Sequence, residues 1–185
     1  SPGELEAGDQ QLQSMKTIQL IRQRPMTIAN TALLIDDSEA IANAVKHLAQ
    51  RGCRSIAFIG ADERFSSGRE RLQAFQAAMQ ELGLRCNTDL ICTVEPSFDM
   101  GRKIALELIE QGDLHAIVCG GLELSKGALS VLMERNIDPA HDIAFIGYGD
   151  PSFYEWIGGG ISTIEVPVDQ LAQQAAELLS SEQEW

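Results

Sequence analysis

The chain has little with which to grip a polyanion: 14 lysines and arginines stand against 27 aspartates and glutamates, a formal charge of -13 over 185 residues. Phosphate contacts come mainly from clustered Lys and Arg, so this polypeptide is not expected to hold nucleic acid by itself. It has no apolar run approaching the roughly 20 residues that span a bilayer. Its first residues, SPGELEAGDQQLQ, lack the basic and apolar regions of a signal peptide. A cytoplasmic location with no membrane partner is therefore expected. Cysteine is scarce too. Cys53, Cys86, Cys92 and Cys119 form no C-x-x-C pair and have no histidine doublet nearby, so packing in a reducing compartment is the expected role rather than zinc or disulfide chemistry. His47, His115 and His141 fall in a helix, at a strand start and in a loop before a strand, too scattered for a metal trio. There is no G-x-S-x-G elbow and no phosphate-binding loop. No metal, cofactor or enzymatic activity is expected. Aromatics are only 5% of the chain, yet Phe153, Tyr154 and Trp156 crowd into one short stretch.

What is present is an alternation. NTALLI (Asn30 to Ile35) reads as a strand, and Ser38 to Gln50 as a helix with Ile41, Ala44, Val45 and Leu48 at helical spacing. RSIAFIG reads as a second strand, followed by a helix from Gly68 to Leu82 that Gly83 closes. LICTV is the third strand, with Ser97 as the N-cap of a helix through Ile109 that ends at Gly112. AIVCG, a helix from Leu124 to Arg135, and IAFIGYG complete the series, before a shorter strand ISTIEV and an amphipathic helix from Val168 to Leu179. The strands are nearly continuous in apolar residues, as in a sheet covered on both faces. Strict alternation predicts right-handed crossovers and a doubly wound parallel α/β sheet. The first 28 residues give no complete βα unit.

In an open parallel sheet, ligands bind beyond the carboxyl ends of the strands. Those positions hold Asp36 and Asp37, the stretch Asp62 to Arg71, Gly120 and Gly121, and Gly149 and Asp150. Acids, hydroxyls, arginines and bare glycine backbone on one rim suit a small polyol or sugar acid. Each also has a plainer role. Acids at a helix start serve as caps and favour its dipole, Ser66 to Gly68 make an ordinary helix N-terminus, Arg71 can sit on a solvated face, and the glycine pair can simply turn the chain.

Four runs taken together, IDDSEAIANAVKHLAQRGCRSIAFIG, SSGRERLQAFQAAMQELGL, AIVCGGLELSKGALSVLMERNIDPAHDIAFIGYGD and ISTIEVPVDQLAQQAAELL, resemble the effector-binding region of the lactose/galactose repressor (LacI/GalR) family over roughly residues 32 to 180. The resemblance implies a periplasmic-binding-protein-like fold of two α/β lobes. Residues 1–29 would be a remnant of the first lobe or an added segment, 30–157 the second lobe, and 158–185 a crossover strand and helix belonging to the first. It implies a small sugar or sugar-acid effector that alters operator affinity, with operator DNA reached only through an N-terminal helix-turn-helix that this chain does not include. A transport-type sugar-binding protein of the same fold is the alternative. By position in the family's motifs, Arg71 and Ser67 would contact effector, with Asp36, Gly121 and Asp150 also lining the site. Gly121 stands where the family usually has a sugar-bonding asparagine, and Gly149 where it usually has an acid. That pattern, with Gly-Tyr-Gly-Asp and downstream aromatics, is similar to gluconate-type members. Phe153, Trp156 and Ile157 would anchor a homodimer together with Leu129 and Met133, or else fold back over the core.

Overall fold

Six residues in a row of RSIAFIGA, Ile56 to Ala61, are buried, and every residue of Ala116–Gly120 and Ala144–Tyr148 is buried as well. Strands of this kind must be covered on both faces, and the computed structural model, which describes residues 18–21 and 31–180, shows how.

The chain divides into two compact units. The smaller comprises residues 1–35, 64–67 and 167–185. Its described strands, β1 (Ile18–Ile21) and β2 (Thr31–Leu34), pair in parallel with Ile18 opposite Thr31. The larger unit, residues 36–63 and 68–166, holds a five-stranded parallel sheet. Its strands are β3 (Ile56–Ala61), β4 (Ile91–Val94), β5 (Ala116–Gly120), β6 (Ala144–Tyr148) and β7 (Ser162–Ile164), in the order β4-β3-β5-β6-β7. The helices are α1 (Ser38–Gln50), α2 (Ser66–Glu81), α3 (Phe98–Gln111), α4 (Leu122–Glu134) and, in the smaller unit, α5 (Val168–Ser180).

Two cores follow from the two faces of the sheet. On one, Ile41, Val45 and Leu48 of α1 and Phe75 and Met79 of α2 pack on Phe58, Val118 and Ile146. On the other, Ile104 and Leu108 of α3 and Leu124, Leu129 and Leu132 of α4 pack on Ile59, Ile117 and Phe145. Glycines bring α3 and α4 together: a Cβ on Gly127 would lie 2.8 Å from the Arg102 amide nitrogen, and one on Gly101 2.9 Å from the Leu124 Cα. Local signals behave as predicted, since the Ser97 hydroxyl accepts from the Met100 amide at 3.2 Å. α2 begins at Ser66, two residues ahead of its predicted start.

Two expectations about strand membership are corrected. Asn30 to Ile35 was expected to open the main sheet, but the ladder bonds of β2 run to β1. The strand within 158–185 was expected to belong to the first lobe, but β7 pairs with β6, Ile146 opposite Ser162 and Tyr148 opposite Ile164, and so completes the five-stranded sheet. An apolar run shows that a strand is buried, whereas its neighbour depends on which backbone amides and carbonyls remain unpaired in the folded chain.

Candidate functional site

The carboxyl ends of β5 and β6 lie side by side because the two strands pair in parallel, and Arg71, in the second turn of α2, meets both of them. Its Nη1 donates to the Gly120 carbonyl at 3.0 Å and its Nη2 to the Tyr148 hydroxyl at 2.5 Å. Its Nε donates to Asp37 Oδ2 at 2.6 Å. The same carboxylate oxygen accepts from the Tyr148 hydroxyl at 2.8 Å, and the guanidinium carbon stands 4.2 Å from the centre of the Tyr148 ring. The Arg71 and Asp37 side chains are only 6% and 4% exposed. A buried charge is tolerated when it is paired and hydrogen-bonded, and this cluster meets that condition from three chain segments.

The backbone behind it is tied in the same way. The Ser125 hydroxyl donates to the Gly121 carbonyl at 2.9 Å and accepts from the Tyr148 amide at 2.9 Å, joining the exit of β5 to the exit of β6. The Gly149 amide donates to the Ile164 carbonyl at 2.8 Å, and the Thr163 hydroxyl bonds the Gly149 carbonyl. Gly149 has φ +78°, and a Cβ there would lie 3.1 Å from Leu122 Cδ1. Glycine at this point therefore has a backbone cause. Gly121 differs: its φ is -175°, ordinary extended backbone, and a Cβ would make an ordinary contact of 3.6 Å with Leu124 Cδ1. A side chain would fit, so its lack leaves open space on the rim.

The structure brings Arg71, Gly121 and Asp150 to one edge of the sheet. Asp150 is exposed, two residues beyond Tyr148. Asp36 is exposed at the entry to α1, where its carboxylate accepts from the Ser38 amide at 3.0 Å. Hydrogen bonding by Ser38, through its hydroxyl first and its amide second, holds the Asp36 carboxyl below its ordinary range. Asp36 therefore stabilises the helix start, while Asp37, the N-cap by position, makes no side-chain cap bond and turns its carboxylate to Arg71 instead. Ser67 lies in the first turn of α2, in a segment that belongs to the smaller unit. Arg71 is not on a solvated face.

Sequence reasoning missed the parts played by Asp37 and Tyr148. The one available signal was chemical, since an arginine carried inward beside Leu72 and Phe75 needs a buried acceptor, and Asp37 is one of the few acids beside a strand end.

The aromatic stretch is divided in use. Tyr154 is 1% exposed and packs edge-on to Phe153, with ring centres 5.0 Å apart. Phe153, Ile157 and Met133 are half-buried against the α3/α4 core, whereas Trp156 is 78% exposed. Leu129 is corrected as an interface residue: at 2% exposed it is part of that core and offers no surface to another chain.

A family model described as a periplasmic binding protein-like domain matches residues 45–183. The chain belongs to this family. It is 29% identical over 150 residues to the HTH-type transcriptional regulator GalR of Escherichia coli K12, a match that covers 80% of this chain and 44% of that protein. The chain thus spans less than half the length of the curated relatives it matches. Among solved structures it is similar to a regulatory protein of LacI family from Chloroflexus aggregans, with TM-score 0.75 and 27% identity over 92% of this chain and 62% of that one. It also shares its fold with a sugar-binding transcriptional regulator of the LacI family from Escherichia coli, with TM-score 0.71 and 24% identity over 86% of this chain and 58% of that one. The parallel α/β fold is periplasmic-binding-protein-like, and the resemblance to the effector-binding domain of LacI/GalR-type transcriptional regulators holds. These relatives are regulators rather than enzymes. No helix among the described residues is long and apolar enough to cross a membrane.

Proposed function

We propose that this chain is the ligand-sensing part of a cytoplasmic LacI/GalR-type regulator, and that a small sugar or sugar acid bound against the carboxyl ends of β3, β5 and β6 alters the operator affinity of the whole protein. The observation that carries this reading is the buried Arg71, Asp37 and Tyr148 cluster at the strand exits, flanked by exposed Asp36 and Asp150 and by the open space at Gly121. Polar groups held rigid by one another, at the place where open α/β sheets bind ligands, recognise hydroxyls with little reorganisation. The sugar-binding relative supports the ligand class. Arg71, Asp36, Asp150 and the backbone at Gly121 are the contacts assigned to it. The effector acts by differential affinity for two conformations of the protein, and operator DNA is contacted outside this chain. Residues 1–29 and the end of the chain would belong with a first lobe.

Titration calorimetry of the protein at its full natural length against monosaccharides and their acids tests the reading. Binding that is lost in Asp150→Ala and restored by no other sugar is the expected result, and the lack of heat with every member would refute it.

Homodimerisation belongs to the same proposal. Trp156, 78% exposed beside the core-packed Phe153 and Ile157, is the anchor. Sedimentation of Trp156→Glu should show a monomer where the parent is a dimer, and an unchanged mass sinks the idea.

A further inference from the structure

At the end of the sheet opposite the Arg71 cluster, a small pocket opens where β6 and β7 begin. Leu48 of α1 and Phe145 and Ile146 of β6 are its buried lining. Its exposed lining is polar: His47 and Arg51 at the end of α1, and Gly158 and Ser162 at the entry to β7. The pocket volume is about 40 Å³, room for roughly three water-sized groups at about 10–15 Å³ each. That is the scale of a phosphate or sulfate ion, and well short of a sugar ring.

The polar groups here are donors with no acid among them. The chain carries 27 acidic residues against 14 basic ones, yet none of the described residues lining the pocket is an aspartate or glutamate. Arg51 spends one N–H on the pocket wall, its Nη2 donating to the Ala140 carbonyl at 2.9 Å. It has no carboxylate partner among the described residues, so its fork keeps N–H groups for an oxyanion, the geometry that guanidinium matches best. The Gly158 amide donates to no backbone carbonyl among the described residues, whereas the Gly160 and Ile161 amides behind it are bonded to the Ile157 and Tyr154 carbonyls. The Ser162 hydroxyl and the His47 ring also have no partner among the described residues.

Two features oppose an anion at this place, and both are already answered. The carboxyl end of a helix is its negative end, but the Arg51 amide covers the His47 and Leu48 carbonyls of α1, the Cys53 amide covers Leu48 again, and the Gly52 amide and Arg54 Nη1 cover Ala49. Asp138 and Asp142, in the loop that carries Ala140, turn their carboxylates onto that loop's own amides and onto His141. Glu165 lines a neighbouring groove that shares His47, which leaves Arg51 as the principal cation of the pocket.

We infer that this pocket is a second ligand site, separate from the effector rim, and that it takes a tetrahedral oxyanion: phosphate or sulfate, free or as the end group of a larger compound. Arg51 holds the anion, the Gly158 amide and the Ser162 hydroxyl complete the donor set, and the bound ion ties the end of α1 to the glycine turn ahead of β7.

Equilibrium dialysis of the protein at its full natural length against labelled inorganic phosphate, at fixed pH and ionic strength, tests the site. Saturable binding of one ion per chain, displaced by sulfate, is the expected result. Arg51→Gln, which removes the charge of an exposed side chain, should weaken it about tenfold or more. Ser162→Asp, which brings a carboxylate to the same opening, should abolish it. Displacement by glycerol 3-phosphate as effective as by phosphate supports an end group of a larger compound, and failure of the ester to displace supports the free ion; the site stands in both cases. Phosphate that does not bind saturably, or that binds unchanged in either folded variant, overturns the inference. The effector reading survives that outcome, because the two sites share no residue.

Discussion

Two buried tyrosines six residues apart live under opposite conditions. Tyr148, at the end of β6, is 4% exposed, and its hydroxyl accepts from Arg71 and donates to Asp37. Tyr154, in the short helix Ser152–Trp156, is 1% exposed, and its hydroxyl has no hydrogen-bond partner among the described residues. It lies behind Gly147, where a Cβ would be 2.7 Å from that oxygen. Ser125 is close by, but its own hydroxyl bonds go to Gly121 and Tyr148. Burial pushes the Tyr154 hydroxyl pKa up, with Cys119 and Asp150 as lesser causes of the same sign and the nearby Ser125 hydroxyl opposing in part. The same side chain thus acts as a polar strut in one region and as an aromatic filler in the other. The rim owes its rigidity to charge pairing, and the α3/α4 face owes its own to close apolar packing.

The sharpest way to break that contrast is to empty the strut. Arg71→Met leaves the Asp37 carboxylate buried without its counter-charge, and urea unfolding should show a loss of about 3–5 kcal/mol. Adding Asp37→Leu to that variant should recover most of it, because two apolar residues leave no orphan charge. A smaller effect is expected from Tyr148→Phe, which takes a partner from both Asp37 and Arg71 and should cost about 1–3 kcal/mol. Tyr154→Phe, by contrast, removes a hydroxyl that is desolvated and unbonded, so the midpoint of unfolding should stay level or rise. A loss above about 1 kcal/mol would show that the hydroxyl has a partner after all.

Smallest at neutral pH is an alkaline effect on the same side of the sheet. Burial raises the Cys119 thiol from its ordinary value to about 12, with the nearby Ser125 hydroxyl opposing in part. Between the ordinary thiol range and about pH 12 the unfolded chain releases this proton while the folded chain keeps it, so stability falls as pH rises through that window. Thermal unfolding of Cys119→Ala and the parent between pH 8 and 10.5 should show a steeper decline in the parent.

The larger elements were legible in the residues because their signals are local. The spacing of Ile41, Val45 and Leu48 depends only on helical periodicity, and Ser97 caps α3 through a bond three residues away. The place of Gly120, Gly149 and Asp150 at one end of the sheet was legible too, since parallel strands put their carboxyl ends on one side, whereas Asp36 and Asp37 follow β2, which lies outside that sheet. The wiring of the rim was not. Nothing in IDDS distinguishes the acid that bonds Ser38 from the acid that reaches Arg71 across 34 residues. Nothing in FIGYGDPSFYEW separates a bonded tyrosine from an orphaned one, or core-facing Tyr154 from exposed Trp156.

By itself, then, the sequence determined the alternation of strand and helix, the burial of the strands and the end of the sheet at which polar groups collect, because periodicity, capping and turn chemistry act over a few residues. Only the tertiary structure decided that β7 closes the five-stranded sheet while β2 pairs elsewhere, and that Arg71 is neutralised by Asp37. Pairing of strands and of buried charges is a competition among groups distant along the chain, and the fold alone brings the winning partners within hydrogen-bond reach.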